Sequence, residues 1–437
     1  MPAAAQVIDP FSNGGSVERS GTGSDVGRRL PNGNGLSDIF TPVDNGPDGA
    51  ARGVPVSQRP RPDYDPPGVK VGGFAFYPEA TAALVYNSNI YAQDNGVGDV
   101  AAKVRAGGVL QSNWGRHALS VDGYIDQRTY AKYSSEDALT YAASAAGKLN
   151  ITSRNQVSAN LGYTRQVVDR SLIGEELATR RPIRYNLATI GLGARHAFSR
   201  VAVNVTGAIG RYDFKDAQTL DGQVSNQQYR DFMRYQAGID LSYRFGPGPR
   251  AFLSANGEWR RYRVDRGISR DADIYEVLGG LRGEITPLLQ GTVGLGYITA
   301  NFADPSIKSR SAVALSGSLA YLVTELTTVN LSLRRYYQNV GLVAAPATLN
   351  TEGSLGVDHE LLRNIILSAS GNYIDSSYIA AEGSARRYGA SFNARWLIDR
   401  KMRFDLALDY HKRRNERSTI IRDFDQLRAS ATLRYHL

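Results

Sequence analysis

Apolar and polar side chains alternate along most of this chain from about residue 73 to its end. In residues 201–209, 235–245 and 402–410, most of the alternate positions carry a larger apolar side chain, and the positions between are polar or small. A period of two predicts β-strands with one apolar face and one polar face. The segments exceed the about 9–11 residues that a tilted membrane-spanning strand needs, so we expect some strands to project beyond a bilayer.

The connections between these segments alternate between short and long. Short turns are predicted near residues 114–116, 152–154, 199–200, 246–249, 286–287, 325–326, 363–364 and 400–401. Longer polar loops are predicted near residues 92–98, 132–137, 170–184, 215–228, 266–272, 303–309, 342–345, 378–384 and 416–421. This alternation is typical of a barrel with periplasmic turns and extracellular loops. We therefore predict an all-β fold, a transmembrane up-and-down antiparallel β-barrel of about 18 strands with both termini in the periplasm.

The last alternating segment, residues 427–437, places Leu433, Tyr435 and Leu437 on its apolar face. In a soluble protein this face needs a core to cover it, whereas a membrane barrel turns it toward lipid. An aromatic residue third from the end and an apolar last residue resemble the assembly signal of bacterial outer-membrane proteins, although that signal usually ends in Phe. We therefore expect these three residues to be recognised by the outer-membrane assembly machinery.

Aromatic residues recur near the predicted strand ends, as the two membrane interfaces favour. On the short-turn side they are Trp114, Phe198, Phe245 and Trp396. Nearer the long loops they are Tyr163, Trp259, Tyr373 and Tyr410. Their placement predicts two aromatic girdles that face the lipid bilayer.

Residues 1–70 have a different composition, rich in Gly, Pro, Ser, Asp and Asn. Such a segment buries too little apolar surface to offset the entropy of ordering it. We therefore expect a flexible periplasmic arm over residues 1–70 and the barrel over residues 71–437. Residues 36–43 are apolar enough to bind a partner, with a plain linker as the alternative, and residues 2–6 look like the end of a signal peptide with its small-residue cleavage site. The arm is predicted either to plug the channel or to bind a periplasmic protein.

Composition narrows the chemistry available to the chain. Cysteine is absent, which excludes disulfides and thiolate metal sites. The mean hydropathy is −0.33, and no apolar stretch of the about 18 residues that a spanning helix needs is present. The formal net charge is +9, but the Lys and Arg residues are spread along the chain rather than clustered, which argues against nucleic acid. An anionic partner inside a pore fits this distribution better.

Projecting each alternating strand predicts which side chains face the lumen. The basic and aromatic side chains predicted to line a polymer path are Lys103, Arg105, Arg128, Arg234, Arg244, Arg260, Arg334, Arg395, Arg403, Arg428, Arg434, Tyr124, Tyr130, Tyr262 and Tyr336. Asp122, Asp126, Asp240, Glu258, Asp405 and Asp409 face the same space, so positive charge is in excess. Arginine forms bidentate hydrogen bonds with carboxylates, and aromatic faces stack on sugar rings. The alternative is a mixed charge network that only braces the wall.

The chain contains five histidines, His117, His196, His359, His411 and His436, on different predicted strands. A nucleophilic site needs a paired base oriented by a third group, and a metal site needs ligands at close spacing. Neither pattern occurs, so we predict no catalytic residues, no metal and no cofactor.

Several segments resemble the putative β-barrel porin 2 family of bacterial outer-membrane proteins, whose members often accompany genes for exopolysaccharide biosynthesis and export. The matching segments are residues 76–79 leading into 86–91, residues 113–119, residues 133–137 and residues 357–364. The resemblance covers about residues 73–437, and its motifs mark turns and strand starts rather than chemistry. It implies an outer-membrane barrel tied to an envelope polysaccharide system.

The function expected from the sequence is an exit conduit for a secreted, anionic exopolysaccharide, working with a periplasmic polysaccharide export protein. A general diffusion porin, a barrel enzyme such as a lipid hydrolase, and a structural surface protein remain as alternatives. The enzyme is disfavoured because the sequence contains no catalytic constellation.

Overall fold

The computed structural model describes residues 53–172, 179–265, 267–342, 345–416 and 422–437. Its strands are β1 (Val69–Val71), β2 (Phe74–Asn87), β3 (Asp99–Ser112), β4 (Ala118–Tyr130), β5 (Ala138–Asn150), β6 (Asn155–Val167), β7 (Arg184–Ala197), β8 (Val201–Phe214), β9 (Ala217–Gln218), β10 (Val224–Ser225), β11 (Phe232–Arg244), β12 (Arg250–Tyr262), β13 (Ala272–Thr286), β14 (Leu289–Phe302), β15 (Arg310–Thr324), β16 (Thr327–Asn339), β17 (Ala347–Leu362), β18 (Ile365–Tyr378), β19 (Ser384–Leu397), β20 (Met402–Glu416) and β21 (Phe424–His436). Short 3-10 turns lie at Val56–Gln58, Ser134–Glu136 and Gln228–Arg230. Among the described residues, no helix has the length and apolarity that crossing a membrane requires.

The long strands form one closed barrel. Strands β2–β8 and β11–β21 pair antiparallel in chain order, and β21 pairs with β2. The result is an 18-stranded antiparallel barrel, which confirms the fold class predicted from the sequence. Closure gives each of these strands a paired neighbour on both sides, although the pairing of β15 with β16 covers only part of their length.

The connections alternate as the sequence predicts. The short ones span residues 113–117, 151–154, 198–200, 245–249, 287–288, 325–326, 363–364 and 398–401. The long ones span residues 88–98, 131–137, 168–183, 215–231, 263–271, 303–309, 340–346, 379–383 and 417–423. We call the two ends of the barrel the short-turn end and the long-loop end. Residue 74 and the chain terminus at residue 437 both lie at the short-turn end.

Period-two alternation turns apolar side chains outward around the wall. Leu84, Val104, Leu161, Leu192 and Leu295 are exposed on the outer face, with polar or small residues between them facing inward. An apolar outer surface of this kind is stable only in contact with lipid.

The predicted aromatic girdles lie on this outer surface. Trp114, Phe198, Phe245 and Trp396 are exposed near the short-turn end, and Tyr163, Tyr373 and Tyr410 are exposed nearer the long-loop end. Trp259 is half-buried and donates a hydrogen bond to the Tyr275 hydroxyl. The girdles match the two levels at which aromatic side chains meet membrane interfaces.

Glycines permit a close approach where β13 meets β14. A Cβ on Gly280 would lie 1.9 Å from the Val293 carbonyl oxygen, and one on Gly296 would lie 1.8 Å from the Val277 carbonyl oxygen. Both positions face the lumen in neighbouring strands. No side chain fits there without moving backbone, so this part of the wall depends on glycine.

We predict that Gly280→Ala destabilises the barrel, because its methyl group overlaps a backbone carbonyl rather than a side chain that can move. Overpacking of this kind costs about 1–3 kcal/mol of the free energy of unfolding. Gly115→Ala is the matched control, since nothing lies within 4 Å of a Cβ at this turn residue. Urea titration of refolded protein in detergent checks the prediction, and equal midpoints for the two variants would contradict it.

Candidate functional site

The inner face of the barrel is the candidate site, and every predicted lining residue occupies an inward-facing position. These positions are Lys103 and Arg105 on β3, Tyr124, Arg128 and Tyr130 on β4, Arg234 and Arg244 on β11, Arg260 and Tyr262 on β12, Arg334 and Tyr336 on β16, Arg395 on β19, Arg403 on β20, and Arg428 and Arg434 on β21. The alternation of exposed apolar residues with buried or half-buried polar ones places them there. Whether they guide a polymer is a separate question.

Close ion pairs hold several of these arginines near the short-turn end. Arg395 Nε lies 2.8 Å from Asp405 Oδ1, and Arg403 Nε lies 2.9 Å from Asp405 Oδ2. Arg434 pairs with Glu79 across the closing strands at 2.9 Å. One buried carboxylate therefore neutralises much of the charge of two arginines. This part of the wall matches the bracing network that the sequence left open as an alternative.

A second group of paired side chains lies on β11–β12 and β16–β17. Glu258 accepts hydrogen bonds from Arg260 at 2.5 Å and from Gln236 at 2.8 Å. Arg334 pairs with Glu352 at 2.8 Å, and the Tyr336 hydroxyl donates to the same carboxylate at 3.2 Å. The cross-strand pairing of Arg334 with Glu352 explains why both side chains take fixed positions. Such pairs hold the lumen's shape more than they supply positive potential.

Arginines also cover the faces of the predicted sugar-stacking tyrosines. The Arg105 guanidinium lies 3.7 Å from the Tyr124 ring centroid, and that of Arg334 lies 4.4 Å from the Tyr336 centroid. Arg128 lies farther from Tyr130, at 5.6 Å. These are cation–π arrangements. A sugar ring would have to displace a guanidinium to stack on Tyr124 or Tyr336.

A basic cluster that the sequence analysis recovered only in part lies near the long-loop end. We name it the His411 cluster, and its members are Arg387, His411, Arg413, Arg428 and Asp169. The His411 ring lies over Gly389, where a Cβ would be 3.0 Å from its Nδ1 atom. The side chain is 8% exposed, and neither ring nitrogen has a hydrogen-bond partner among the described residues.

Loop residues 168–172 enter the lumen beside this cluster. Arg413 donates to the Leu172 carbonyl oxygen at 3.1 Å, and Arg428 lies 3.5 Å from Asp169. Burial alone would raise the pKa of Asp169, but the charge of Arg428 and hydrogen bonds from Ser171 lower it below its ordinary value. The loop therefore adds a carboxylate to a cluster in which Glu352 acts on Arg387 and Asp409 is the register partner of Arg428.

The short-turn end contains a segment that the sequence analysis treated as part of a flexible arm. Residues 53–65, which we name the mouth segment, lie against inward-facing side chains of β14 and β16–β19. Arg59 and Arg61 lie 2.8 and 2.9 Å from the same oxygen of Glu360. The Val56 amide donates to the Thr328 hydroxyl at 3.0 Å.

Apolar contacts also hold the mouth segment in place. Val56 is fully buried with Ile366 and Leu397, and Tyr64 packs against the same group. Gln290 donates to the Gly53 carbonyl oxygen at 2.7 Å. The division predicted between residues 70 and 71 assigns the mouth segment to the arm, although its contacts are with the barrel wall. The rest of the predicted arm, residues 1–52, lies outside the described residues.

Three of the histidines make local structural contacts. His117 accepts from the Asn150 amide at 3.2 Å, His196 lies 2.6 Å from Asn155 Oδ1, and His359 lies 2.9 Å from the Thr327 hydroxyl. Each contact joins neighbouring strands or turns at the short-turn end. In the part of the chain that the structure describes, no three His, Asp or Glu side chains are placed to hold a metal ion.

Sequence reasoning missed Arg387, Arg413, Glu360 and the mouth segment. Arg386 and Arg387 are adjacent, so the alternation of apolar and polar residues along the whole of β19 is needed to tell which one faces inward. Glu360 follows the β17 alternation and could have been placed inside, but its partners Arg59 and Arg61 come from a segment with no strand pattern.

Several solved barrels are similar to this chain in their overall path. OpdL of Pseudomonas aeruginosa shares 10% identity with a TM-score of 0.43, covering 84% of this chain and 99% of that one. The siderophore receptor PirA of Acinetobacter baumannii shares 8% identity with a TM-score of 0.45, covering 82% of this chain and 80% of that one. A comparison with curated proteins gives no match.

The family comparison covers the whole of the described barrel. A family model described as "Putative beta-barrel porin 2" matches residues 61–437. The match includes every strand of the barrel and Arg61, one of the two arginines that pair with Glu360. The match confirms the family suggested by the turn and strand motifs. This chain therefore belongs to the beta-barrel porin 2 family and is an outer-membrane, porin-like channel.

Proposed function

We propose that this protein is the exit conduit for a secreted anionic exopolysaccharide. In this proposal the short-turn end faces the periplasm and the long loops face outside the cell. The observation that carries it is the arginine-rich inner face, where Arg387, Arg413 and Arg428 converge near the long-loop end. Guanidinium groups bind carboxylate and phosphate oxygens in a planar, bidentate way. Rings of fixed charge also select the sign of what passes through a pore.

The obstructions inside the lumen favour a specialised conduit over a general diffusion porin. The mouth segment lies inside the short-turn end, and loop residues 168–172 reach the His411 cluster near the other end. A diffusion porin needs a lumen that stays open to small solutes. A conduit for a long polymer benefits from closure between export events, because an open pore of this size would leak solutes.

The proposal also includes a periplasmic partner. Gly53 lies at the short-turn end, on the side that we assign to the periplasm. A periplasmic polysaccharide export protein that binds residues 1–52 would then be close to the mouth segment. In this proposal, binding there moves Arg59 and Arg61 away from Glu360, so that the channel opens when the polymer is delivered. In the same orientation, Leu433, Tyr435 and Leu437 meet the assembly machinery from the periplasmic side.

We predict that Arg105→Gln/Arg128→Gln lowers anion preference. Each lost charge changes an ion's energy by about 0.4 kcal/mol at about 10 Å in water, roughly a twofold effect on relative permeability. Reversal potentials in a KCl gradient at low ionic strength measure it, because screening is weak there. Arg211→Gln on the exposed outer face of β8 is the control and should leave selectivity unchanged. A cation-selective native channel would contradict the proposal.

We predict that Glu360→Gln raises the open probability by loosening the mouth segment. The neutral amide loses the charge-assisted contacts with Arg59 and Arg61, and every 1.4 kcal/mol lost favours the open state about tenfold. Single-channel recording in planar bilayers is the measurement. Glu79→Gln removes a carboxylate from the same end that pairs with the wall residue Arg434, and it should not open the channel. An equal effect of both changes would show that general loosening of the wall is the cause.

A further inference from the structure

The pairing between β15 and β16 stops partway along the wall. It runs from Thr324 opposite Thr327 to Ser316 opposite Arg334, and no farther toward the long-loop end. Beyond that point, residues 310–315 pair only with β14, and residues 335–339 pair only with β17. The described barrel wall therefore has a split between β15 and β16 in its long-loop half.

Side chains of β16 cap backbone oxygens on the β15 side of the split. The Tyr337 hydroxyl donates to the Arg310 carbonyl oxygen at 2.6 Å. Arg335 Nη1 lies 3.3 Å from the Val313 carbonyl oxygen. Val313 is the register partner of Tyr297, whose side chain is exposed on the outer face, so the split extends into the part of the wall that carries exposed outer-face residues. Backbone groups at this depth need partners, which these two side chains supply.

Burial shows where the end of β16 lies. Tyr337 and Leu349 point to the outer face of their strands, yet they are only 2% and 9% exposed. On the same face of the same strands, Leu331 and Leu355 are 47% and 55% exposed, as lipid-facing residues should be.

The buried outer-face residues pack into a core with inward-facing residues of other strands. Tyr337, Ala347 and Leu349 share a cluster with Ile274 and Leu278 of β13, Ile298 and Ala300 of β14, and Ala314 of β15. The outer face of the β16–β17 tip therefore lies on the inner face of β13–β15. We name the described residues 335–342 and 345–351 the tucked hairpin, because this edge of the sheet is folded inside the barrel.

Three donors, one on β12 and two in the long loops beside β11 and β13, hold the tucked hairpin through its backbone. Arg260 of β12 donates to the Tyr337 carbonyl oxygen at 3.0 Å. The Tyr229 hydroxyl donates to the Gly341 carbonyl oxygen at 2.9 Å, and Arg270 donates to the Val340 carbonyl oxygen. Arg260 lies four strands from β16 in sheet order, so its contact crosses the inner face of β13–β15 and the hairpin occupies part of the lumen.

We propose that the tucked hairpin is a gate. In the open state β16 pairs with β15 along the rest of its length, and continuing the observed register places Val313 opposite Tyr337 and Ser311 opposite Asn339. The backbone ladder then replaces the capping contacts of Tyr337 and Arg335, while the apolar cluster and the three latch contacts are lost. The gate requires only that the protein is a channel, so it does not depend on the polymer assigned to it.

The test uses cysteine pairs, since the native chain contains no cysteine. Ser311→Cys/Asn339→Cys should form a disulfide when the hairpin leaves the lumen and should trap the channel open. Ser318→Cys/Ser332→Cys, which joins residues already paired in the ladder, is the control and should cross-link without changing conductance. Ion conductance is measured before and after reduction, with no polymer present. We expect the first pair alone to raise conductance, reversibly, by roughly twofold or more.

A latch variant provides an independent measurement. Tyr229→Phe removes only the hydroxyl that holds Gly341, and it should speed the 311–339 cross-link and raise thiol labelling of Leu349→Cys several-fold. Tyr163→Phe, which removes an exposed hydroxyl on the outer face of the distant strand β6, should do neither. The gate is ruled out if the cross-linked 311–339 protein conducts like the control pair. It is also ruled out if Tyr229→Phe changes neither cross-linking nor labelling.

Discussion

The structure depends on one constraint: in a bilayer, each backbone N–H and C=O must find a partner within the protein. Antiparallel closure from β2 to β21 meets this demand around the barrel. The strict alternation of side chains follows, because pairing fixes one face toward lipid and the other toward the lumen. Where the ladder fails between β15 and β16, the Tyr337 hydroxyl and Arg335 guanidinium take over as donors.

The same constraint determines which types of side chain occupy the inner face. With apolar side chains committed to lipid, charged residues occupy the inside, where burial makes unpaired charge costly. Asp405 between Arg395 and Arg403, and Glu352 between Arg334 and Tyr336, meet that cost locally. The His411 cluster differs, since Arg387, Arg428 and the loop carboxylate Asp169 surround an imidazole that has no hydrogen-bond partner among the described residues.

The sequence predicted the wall well and the contents of the lumen poorly. Alternation placed Lys103, Arg260 and Arg428 on the inner face, because successive side chains of a strand point to opposite faces of the sheet. It could not predict that Arg59 and Arg61 share Glu360, because that contact joins distant segments and has no period. The tucked hairpin was also missed, since Tyr337 and Leu349 follow the outward pattern and only tertiary packing buries them.

The most direct test of the account is release of oligosaccharides from liposomes that contain the purified protein. Fluorescent oligogalacturonate and neutral maltodextrin of equal length would be enclosed together, and their release followed at low ionic strength. The account predicts faster release of the acidic chain, and loss of that preference at high salt, where the arginine field is screened. Equal release of both sugars at low salt would contradict a conduit for anionic polymers.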